Sequence, residues 1–320
     1  MRLEILTAES LGTRGLCCRV ETYGRVIVID PGVALGAWRY RLPPHPVQIA
    51  VGKAARKRIV EALERATDVV FSHYHGDHVP LTEANPYQLS FLQLPPRFTA
   101  LRAWSKSPEG QTQKSQTRAC DLMNLLGGQW RIAEGLEEGP LIFSRAVPHG
   151  VGGPALGEVM MTRVELGGCV FVHGSDIQFL DKATVDVILG WTPDIVLAAG
   201  PPLYQRRLNA IQRAYAWSNA LRLAKKVGTL ILDHHLLRSV QGMHWLQALS
   251  QAAGKRIYCA ADFMGRPRRL LEAERQELYA TMPVRTGWHE DYTRGLARME
   301  DFPPVEPGTG PTPDRRCPDR

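Results

Sequence analysis

The sequence predicts an α/β protein in which helices cover sheets of buried strands. Short apolar strands end in polar turns, and Val26-Ile27-Val28-Ile29 followed by Asp30-Pro31-Gly32 is the clearest example. These strands alternate with helical segments along the chain. The same pattern returns in the second half, where residues 168–176 parallel residues 24–30. The alternation indicates a layered α/β architecture.

Each element follows from local composition. The first 35 residues predict two or three strands, and residues 52–67, rich in Lys, Arg, Glu and Ala, predict a helix. A second buried strand follows at 68–71, and the Pro-rich, polar residues 80–117 predict a long surface loop over one rim of the fold. Later helices are predicted near 118–126, 203–226, 238–253 and 268–280, and later strands near 141–147, within 168–176 and 192–200, and at 229–232 and 256–260.

The composition is that of an ordinary soluble globular chain. Of 320 residues, 44% are hydrophobic and 22% charged, which excludes a disordered or collagen-like chain. No apolar run approaches the ~18–20 residues that cross a bilayer, and the amino terminus lacks the apolar stretch of a signal peptide. We therefore expect a cytoplasmic protein without membrane contact, with one domain over residues 1–300 and a flexible Pro-rich tail at 301–320.

The strongest chemical signal is the segment Ser72-His73-Tyr74-His75-Gly76-Asp77-His78. It directly follows a predicted strand, and His73 and His75 point to the same side because side chains alternate along extended backbone. Gly76 allows a sharp turn that returns Asp77 and His78 toward the same point. Three imidazoles and a carboxylate at this spacing suit a borderline transition metal such as zinc.

With this motif the chain resembles the metallo-β-lactamase superfamily, whose hallmark is His-x-His-x-Asp-His after a buried strand. The family's remaining motifs occur in order over residues 1–290. They are Asp30, His149, Asp176 and the pair His234-His235. Several phrases, among them residues 30–36 and 233–238, resemble one subfamily of uncharacterised predicted hydrolases of archaea and bacteria. The resemblance implies a four-layer αβ/βα sandwich.

The resemblance also implies a role for each motif residue. One metal ion is held by His73, His75 and His149, the second by Asp77, His78 and His234, and Asp176 bridges the two. The cofactors are then two divalent ions, with zinc first and manganese or iron as alternatives. A water shared by the ions, whose pKa falls toward ~7, is the nucleophile, and Asp77 belongs to the catalytic group. Asp30 is expected to accept a hydrogen bond from a ligand imidazole or from the ligand loop.

Two histidine assignments have alternatives. His234 and His235 are adjacent, so on a continuing strand they face opposite ways and one of them ligates easily. We prefer His234 as the ligand and assign His235 to catalysis, as a hydrogen-bond donor to the substrate or leaving group. Asp233 is expected to be a structural carboxylate. His173 is either a hydrogen-bonded buried histidine or a residue that supports the ligands or contacts the substrate.

The charge pattern bears on the substrate. Residues 203–232 carry six basic side chains and no Asp or Glu, which either guide an anionic substrate to the site or form a solvated helix face. We expect a dinuclear metal-dependent hydrolase of phosphodiesters, in nucleic acid or a small nucleotide. The alternatives are a hydrolase of carbonyl esters, lactones or thioesters and, less favoured, an iron-dependent redox protein. A binding module without catalysis predicts broken ligand motifs, whereas all seven metal positions are filled.

Overall fold

The computed structural model describes residues 1–150, 157–299 and 302. The first of its two six-stranded sheets contains the strands in sequence order. Its elements are β1 (Arg2–Ile5), β2 (Cys18–Thr22), β3 (Arg25–Ile29), α1 (Pro46–Arg65), β4 (Asp68–Phe71), β5 (Arg102–Ser105), α2 (Gln113–Leu126) and β6 (Trp130–Ile132). Strands β1 to β3 are antiparallel, and β3 to β6 are parallel.

The second six-stranded sheet is built from later strands. These are β7 (Glu137–Glu138), β8 (Leu141–Phe143), β11 (Thr162–Leu166), β12 (Cys169–His173), β13 (Ile195–Ala198) and β14 (Thr229–Leu232), and the short pair β9 (Val147–Pro148) and β10 (Glu158–Val159) lies apart. The spatial order is β14-β13-β12-β11-β8-β7, with β12, β13 and β14 parallel. The helices of this half are α3 (Lys182–Gly190), α4 (Ala210–Lys226), α5 (Val240–Ala253), α6 (Ala260–Phe263), α7 (Arg275–Thr281) and α8 (Trp288–Thr293).

Side-chain alternation along the strands produces the layers. In β3 and β4, Ile27, Ile29 and Val70 pack into a core shared with the second sheet, whereas Val28 and Val69 pack into a core with α1 and α2. Residues of α3, α4 and α5 pack against the second sheet. The predicted four-layer αβ/βα sandwich is therefore confirmed.

The parallel strands place the motif residues at one edge. Asp30 follows β3, His73 lies two residues after β4, Asp176 follows β12, and His234 follows β14. Because parallel strands end on the same side of their sheet, these motifs converge at the carboxyl ends of the strands.

Several predicted boundaries were wrong. Helix α1 begins at Pro46, because the side chain of His45 accepts a hydrogen bond from the Val47 amide and caps the helix. Helix α4 begins at Ala210, because Asn209 caps it in the same way. The predicted loop 80–117 contains β5 and the start of α2, and the predicted strand 256–260 is a single bridge between Tyr258 and Ile231 followed by α6.

Other differences concern the chain's later part and ends. The predicted helix near 268–280 is observed as α7 alone, while β11 and α3 were not predicted. The predicted tail at 301–320 lies outside the described residues apart from Phe302. Within the described part of the chain, no helix combines the length and apolarity needed to span a bilayer.

Asp68 at the start of β4 should make stability depend on pH. Burial opposes its ionisation, but hydrogen bonds from Arg25, Thr67 and Trp104 outweigh it and lower the pKa of Asp68. A lowered folded-state pKa stabilises the fold above the ordinary aspartate pKa of about 4, and this stabilisation is lost as the pH falls further. We expect Asp68→Asn to lower the free energy of unfolding at pH 7 by roughly 1–3 kcal/mol.

Urea unfolding of both proteins at pH 7 and pH 3 measures this effect. The difference between wild type and Asp68→Asn should shrink at pH 3, which lies below the ordinary aspartate pKa of about 4, because the carboxyl then takes up a proton in the unfolded wild-type chain. An equal difference at both pH values would contradict the role assigned to the Asp68 carboxylate.

Candidate metal centre

The loop after β4, residues 72–78, presents its histidines on one side. Tyr74 is fully buried on the other side, where its ring stacks on Trp130 with centroids 6.3 Å apart and its hydroxyl donates to the Lys106 carbonyl. His73 and His75 therefore point away from that core. The turn after β3 lies directly against this loop, since a Cβ on Gly32 would come within 2.3 Å of the His78 carbonyl carbon. Only glycine permits this approach.

The first group of candidate ligands is compact. One donor atom from each member lies within 4.8 Å of all the others, and the members are His73, His75, His149 and Asp176. Asp176 Oδ2 is 3.2 Å from His149 Nε2 and 3.5 Å from His73 Nε2. The His75 ring is 4.6 Å from the His73 ring and 4.9 Å from the His149 ring, measured between centroids.

The second group lies on the other side of Asp176. Its own members, whose donor atoms are again within 4.8 Å of one another, are Asp77, His78 and His234. Asp176 Oδ1 is 3.2 Å from His78 Nε2 and 3.5 Å from His234 Nε2. His234 Nε2 is also 3.4 Å from Asp77 Oδ2. The two oxygens of Asp176 thus face different groups, an arrangement that fits a bridging ligand.

The chemistry of the cluster fits divalent metal ions. His73 Nε2 and Asp176 Oδ1 are buried without a hydrogen-bond partner. Buried polar atoms normally have partners, so unpaired atoms that converge from different strands call for a ligand between them. Imidazole nitrogens and carboxylate oxygens are ligands that zinc, manganese and iron accept.

The histidines of the two groups differ in pKa and therefore in charge. Burial and neighbouring imidazoles lower the pKa of His73, and that of His75 well below its usual value, so both rings are neutral near pH 7. Burial also lowers the pKa of His78, but the carboxylates of Asp176 and Asp30 outweigh it and raise that pKa well above its usual value. His78 must therefore release a proton to bind a metal ion, which makes binding to the second group dependent on pH.

Asp30 supports the ligand loop. Its buried carboxylate accepts hydrogen bonds from the Ser72 amide at 2.8 Å, the Ser72 hydroxyl at 2.6 Å and His78 Nδ1 at 2.9 Å. This is the contact that the resemblance implies. A proton held on Nδ1 leaves Nε2 of His78 free to face the centre.

His234 and His235 both reach Asp176, so the expectation that they face opposite ways was wrong. His235 Nε2 is 3.0 Å from Asp176 Oδ2, and its Nδ1 is buried without a partner. The reason is that β14 ends at Leu232 and His234 has a φ of +34°, so the strand does not continue through the pair. Asp233 anchors this turn by accepting hydrogen bonds from the Ser10 and Ala260 amides.

His173 belongs to neither group of candidate ligands. It is fully buried at the end of β12, where its Nε2 donates to the Leu16 carbonyl at 2.9 Å, and its Nδ1 is buried without a hydrogen-bond partner. Of the two alternatives, this placement favours the hydrogen-bonded buried histidine.

Sequence reasoning missed the residue closest to the second group. Arg238 Nη2 lies 2.8 Å from His234 Nε2 and 3.2 Å from Asp77 Oδ2, and Arg238 Nε donates to Glu9 Oε1 at 2.7 Å. Arg238 belongs to the phrase 233–238 on which the resemblance partly rests, and that was the one available signal. Glu9 had no signal, since it is far from every motif in sequence.

The basic segment 203–232 does not form one approach to the centre. Lys225 and Lys226 end α4, next to the start of β14 and so at the edge of the sheet opposite His234. Arg222 pairs with Asp186. Arg206 and Arg207, which precede α4, are exposed on the side of the centre, because their segment follows the carboxyl end of β13.

The fold is a four-layer αβ/βα sandwich, and the clustered imidazoles and carboxylates at the ends of its strands are candidate ligands for metal ions. No family model matches the chain. A UPF0282 protein of Methanosarcina mazei is 46% identical over 302 residues, covering 94% of this chain and 99% of that protein. One from Thermococcus sibiricus is 32% identical over 312 residues, covering 90% and 100%. The chain belongs to the UPF0282 family.

Solved structures resemble the chain in fold at low sequence identity. One is a metal-dependent hydrolase of the β-lactamase superfamily, with a TM-score of 0.49 and 12% identity over 81% of this chain and 95% of that one. Another is zinc-bound PqqB from Methylobacterium extorquens, with a TM-score of 0.43 and 12% identity over 81% and 98%.

Proposed function

We propose that the chain is a hydrolase that uses two divalent metal ions, zinc first and manganese or iron as alternatives. The observation that carries the proposal is the position of Asp176, whose two carboxylate oxygens face two separate groups of ligands. The ligands are His73, His75 and His149 on one side, Asp77, His78 and His234 on the other, and Asp176 between them. Divalent ions in such a pair acidify a water molecule and polarise the bond to be cleaved.

The residues around the ligands orient the ligand side chains and determine which of them a substrate reaches. Asp30 and Ser72 hold the ligand loop by the hydrogen bonds described above, which fixes the direction of the His78 ring. His235 is 7% exposed whereas His234 is fully buried, so His235 is the member of the pair that a substrate reaches. We therefore assign to His235 a hydrogen bond to the substrate or to the leaving group.

We propose a phosphodiester, in nucleic acid or a nucleotide, as the substrate. Two arginines flank the ligand loop. Arg238 contacts Asp77, and Arg118 Nη1 donates to the Tyr74 carbonyl at 3.0 Å. Arg206 and Arg207 add exposed positive charge on the same side of the sheet, and the whole chain has a net charge of +7. These charges favour an anionic substrate.

A carbonyl substrate is the second candidate because of a cavity beside His149. The cavity has a volume of about 240 Å³, and its walls include Pro148, Ile177, Phe179 and Leu180. None of the described residues that line it is Lys or Arg. An uncharged acyl group, as in an ester, lactone or thioester, suits such walls.

A panel assay separates the two candidates. The protein, loaded with zinc or manganese, is given bis-p-nitrophenyl phosphate, labelled DNA and RNA, lactones and thioesters. The phosphodiester proposal predicts turnover of the phosphate substrates and little of the others. Turnover of lactones or thioesters with every phosphodiester inert would overturn it in favour of the carbonyl substrate.

We expect Asp77→Ala to abolish hydrolysis while the fold is retained. Asp77 lies in a partly exposed turn of the loop, so its removal costs one ligand and creates no apolar cavity. The expected loss in kcat/KM is about a thousandfold, as for other losses of transition-state charge stabilisation. Circular dichroism should be unchanged.

The matched control is Asp121→Ala, which removes a half-buried aspartate that accepts a hydrogen bond from Thr82. It should keep wild-type kcat/KM. Unfolding of Asp77→Ala would mean that the loop is a structural centre, and full activity would remove Asp77 from the catalytic group.

A further inference from the structure

The second group of ligands is in contact with a buried arginine, Arg238. Arg238 Nη2 is 2.8 Å from His234 Nε2, 3.3 Å from His234 Nδ1 and 3.2 Å from Asp77 Oδ2. A nitrogen this close to both ring nitrogens lies against the face of the imidazole. The guanidinium therefore contacts two of the three residues that belong to the second group alone.

Arg238 is held in this place from several directions. Its Nε donates to Glu9 Oε1 at 2.7 Å, and its backbone carbonyl accepts a hydrogen bond from Arg39 Nη2 at 2.7 Å. The residue is 6% exposed. A buried guanidinium paired with the carboxylates of Glu9 and Asp77 does not leave its position without cost, because Glu9 would then be buried without its partner.

The backbone gives a second, independent constraint on His234. The Gly15 amide donates a hydrogen bond to His234 Nδ1 at 3.2 Å, so a neutral ring carries its proton on Nε2 and has no lone pair there for a metal. Gly15 packs closely against the ligand loop, since its φ is +112° and a Cβ would lie 2.6 Å from the Asp77 carbonyl oxygen. His78 is arranged in the opposite way, because its Nδ1 donates to Asp30.

Among the described residues, the first group is contacted by neutral side chains, with His235 Nε2 3.0 Å from Asp176 Oδ2 and Gln178 Nε2 3.4 Å from His149 Nδ1. No cationic side chain is described in hydrogen-bond or ion-pair contact with His73, His75, His149 or Asp176 Oδ2, within the parts of the chain that the structure describes. His73 Nε2 is buried and has no hydrogen-bond partner. This group is therefore open to a metal ion where the second is obstructed.

We infer that the two metal positions are unequal and that Arg238 keeps them so. The group of His73, His75, His149 and Asp176 holds the tightly bound ion. The group of Asp77, His78 and His234 fills only when the Arg238 guanidinium moves off the His234 ring and the Gly15 amide gives up Nδ1. Arg238 thus controls whether a metal ion can enter the second position. This inference rests on the proposed metal-dependent function for the identity of the ligands.

The number of metal ions bound per chain tests this role of Arg238 without any substrate. Metal-free protein is titrated with Zn²⁺ by calorimetry, and the metal retained after gel filtration is measured by mass spectrometry. Wild type should retain one ion per chain. The second ion should bind at least about tenfold more weakly, because the fixed positive charge of Arg238 lies a few ångströms from its position and repels it. Arg238→Met should retain two ions with affinities that differ less.

A double variant that also removes the buried charge of Glu9 controls for misfolding of Arg238→Met. Glu9→Gln combined with Arg238→Met removes the buried Glu9 carboxylate together with its partner and leaves Asp77 free for the metal ion, so it should bind a second ion as Arg238→Met does. The matched control is Arg14→Met, which removes an arginine of the same buried region that pairs with Glu272. This control should bind metal as wild type does.

Single-ligand variants show which position is tight. His75→Ala should lose the retained ion, whereas His234→Ala should keep it. The inference is overturned if wild type binds two ions with equal affinity, if both Arg238 variants bind like wild type, or if His234→Ala loses the retained ion. A wild-type chain that binds no metal at all contradicts the proposed function itself, so the two failures are distinguishable.

Discussion

Replacement of Asp176 by asparagine is expected to remove metal binding at both positions and to lower kcat/KM by at least about a thousandfold. Asparagine keeps the size of the side chain but removes its negative charge. Asp176 is 1% exposed, and His78, His149 and His235 all lie within 3.2 Å of its carboxylate oxygens. No other carboxylate is shared by both groups of ligands in the described structure, so no residue can replace it.

Metal content and hydrolysis are measured on the same preparation of Asp176→Asn. The control is Asp186→Asn, the same change at an exposed aspartate that pairs with Arg222 on the far side of the second sheet. It should keep the wild-type metal content and rate. Retention of the wild-type metal content by Asp176→Asn would contradict the bridging role.

Replacement of Asp30 by asparagine is expected to lower both stability and metal affinity. The Asp30 carboxylate is fully buried and accepts three hydrogen bonds, two from Ser72 and one from His78. An amide nitrogen in place of one oxygen faces donors and leaves them unpaired, at a cost of about 3 kcal/mol in the free energy of unfolding. Asparagine tolerates the left-handed backbone at Asp30, where φ is +50°, so the effect reports the hydrogen bonds.

Urea unfolding and zinc titration measure the two effects of Asp30→Asn. Metal affinity should fall about 10–100-fold, because the His78 ring loses the partner that orients it. Ser72→Ala provides a graded comparison, since it removes the hydroxyl donor to Asp30 and should cost only about 1 kcal/mol. If Asp30→Asn is no less stable than Ser72→Ala, Asp30 is not the support of the ligand loop.

Much of the candidate centre could be predicted because its motifs follow strands. The strand at 68–71 and the spacing of His73 and His75 determine that both rings share a side, and the buried Tyr74 between them shows the alternation directly. The motif order also led to His149 and Asp176, whose donor atoms lie within 4.8 Å of each other. Periodicity and turn residues carry this kind of information in the sequence itself.

The remaining features depend on tertiary contacts. A positive φ at His234 turns both His234 and His235 to Asp176, and no local pattern marks a histidine for that conformation. Gly15 and Glu9 act on His234 and Arg238 from more than 200 residues away in sequence. The basic residues of α4 looked like one patch because a charge run does not show which edge of the sheet each residue reaches.

The strands likewise include some that the sequence predicts and some that it does not. Apolar, β-branched strands such as Arg25–Ile29 were predicted, whereas β11, which alternates polar and apolar residues, was not. Strand β5 is only four residues long and lies within a Pro-rich region, so its pairing with β4 comes from packing and not from a strong local signal.

Anomalous X-ray diffraction from crystals of the zinc-loaded protein tests the central claim most directly. We expect a strong zinc peak about 2.0–2.1 Å from ring nitrogens of His73, His75 and His149, in contact with Asp176. A weaker peak or none is expected beside Asp77 and His78, where Arg238 lies. A crystal with zinc elsewhere and none among these residues would show that the cluster is not a metal centre.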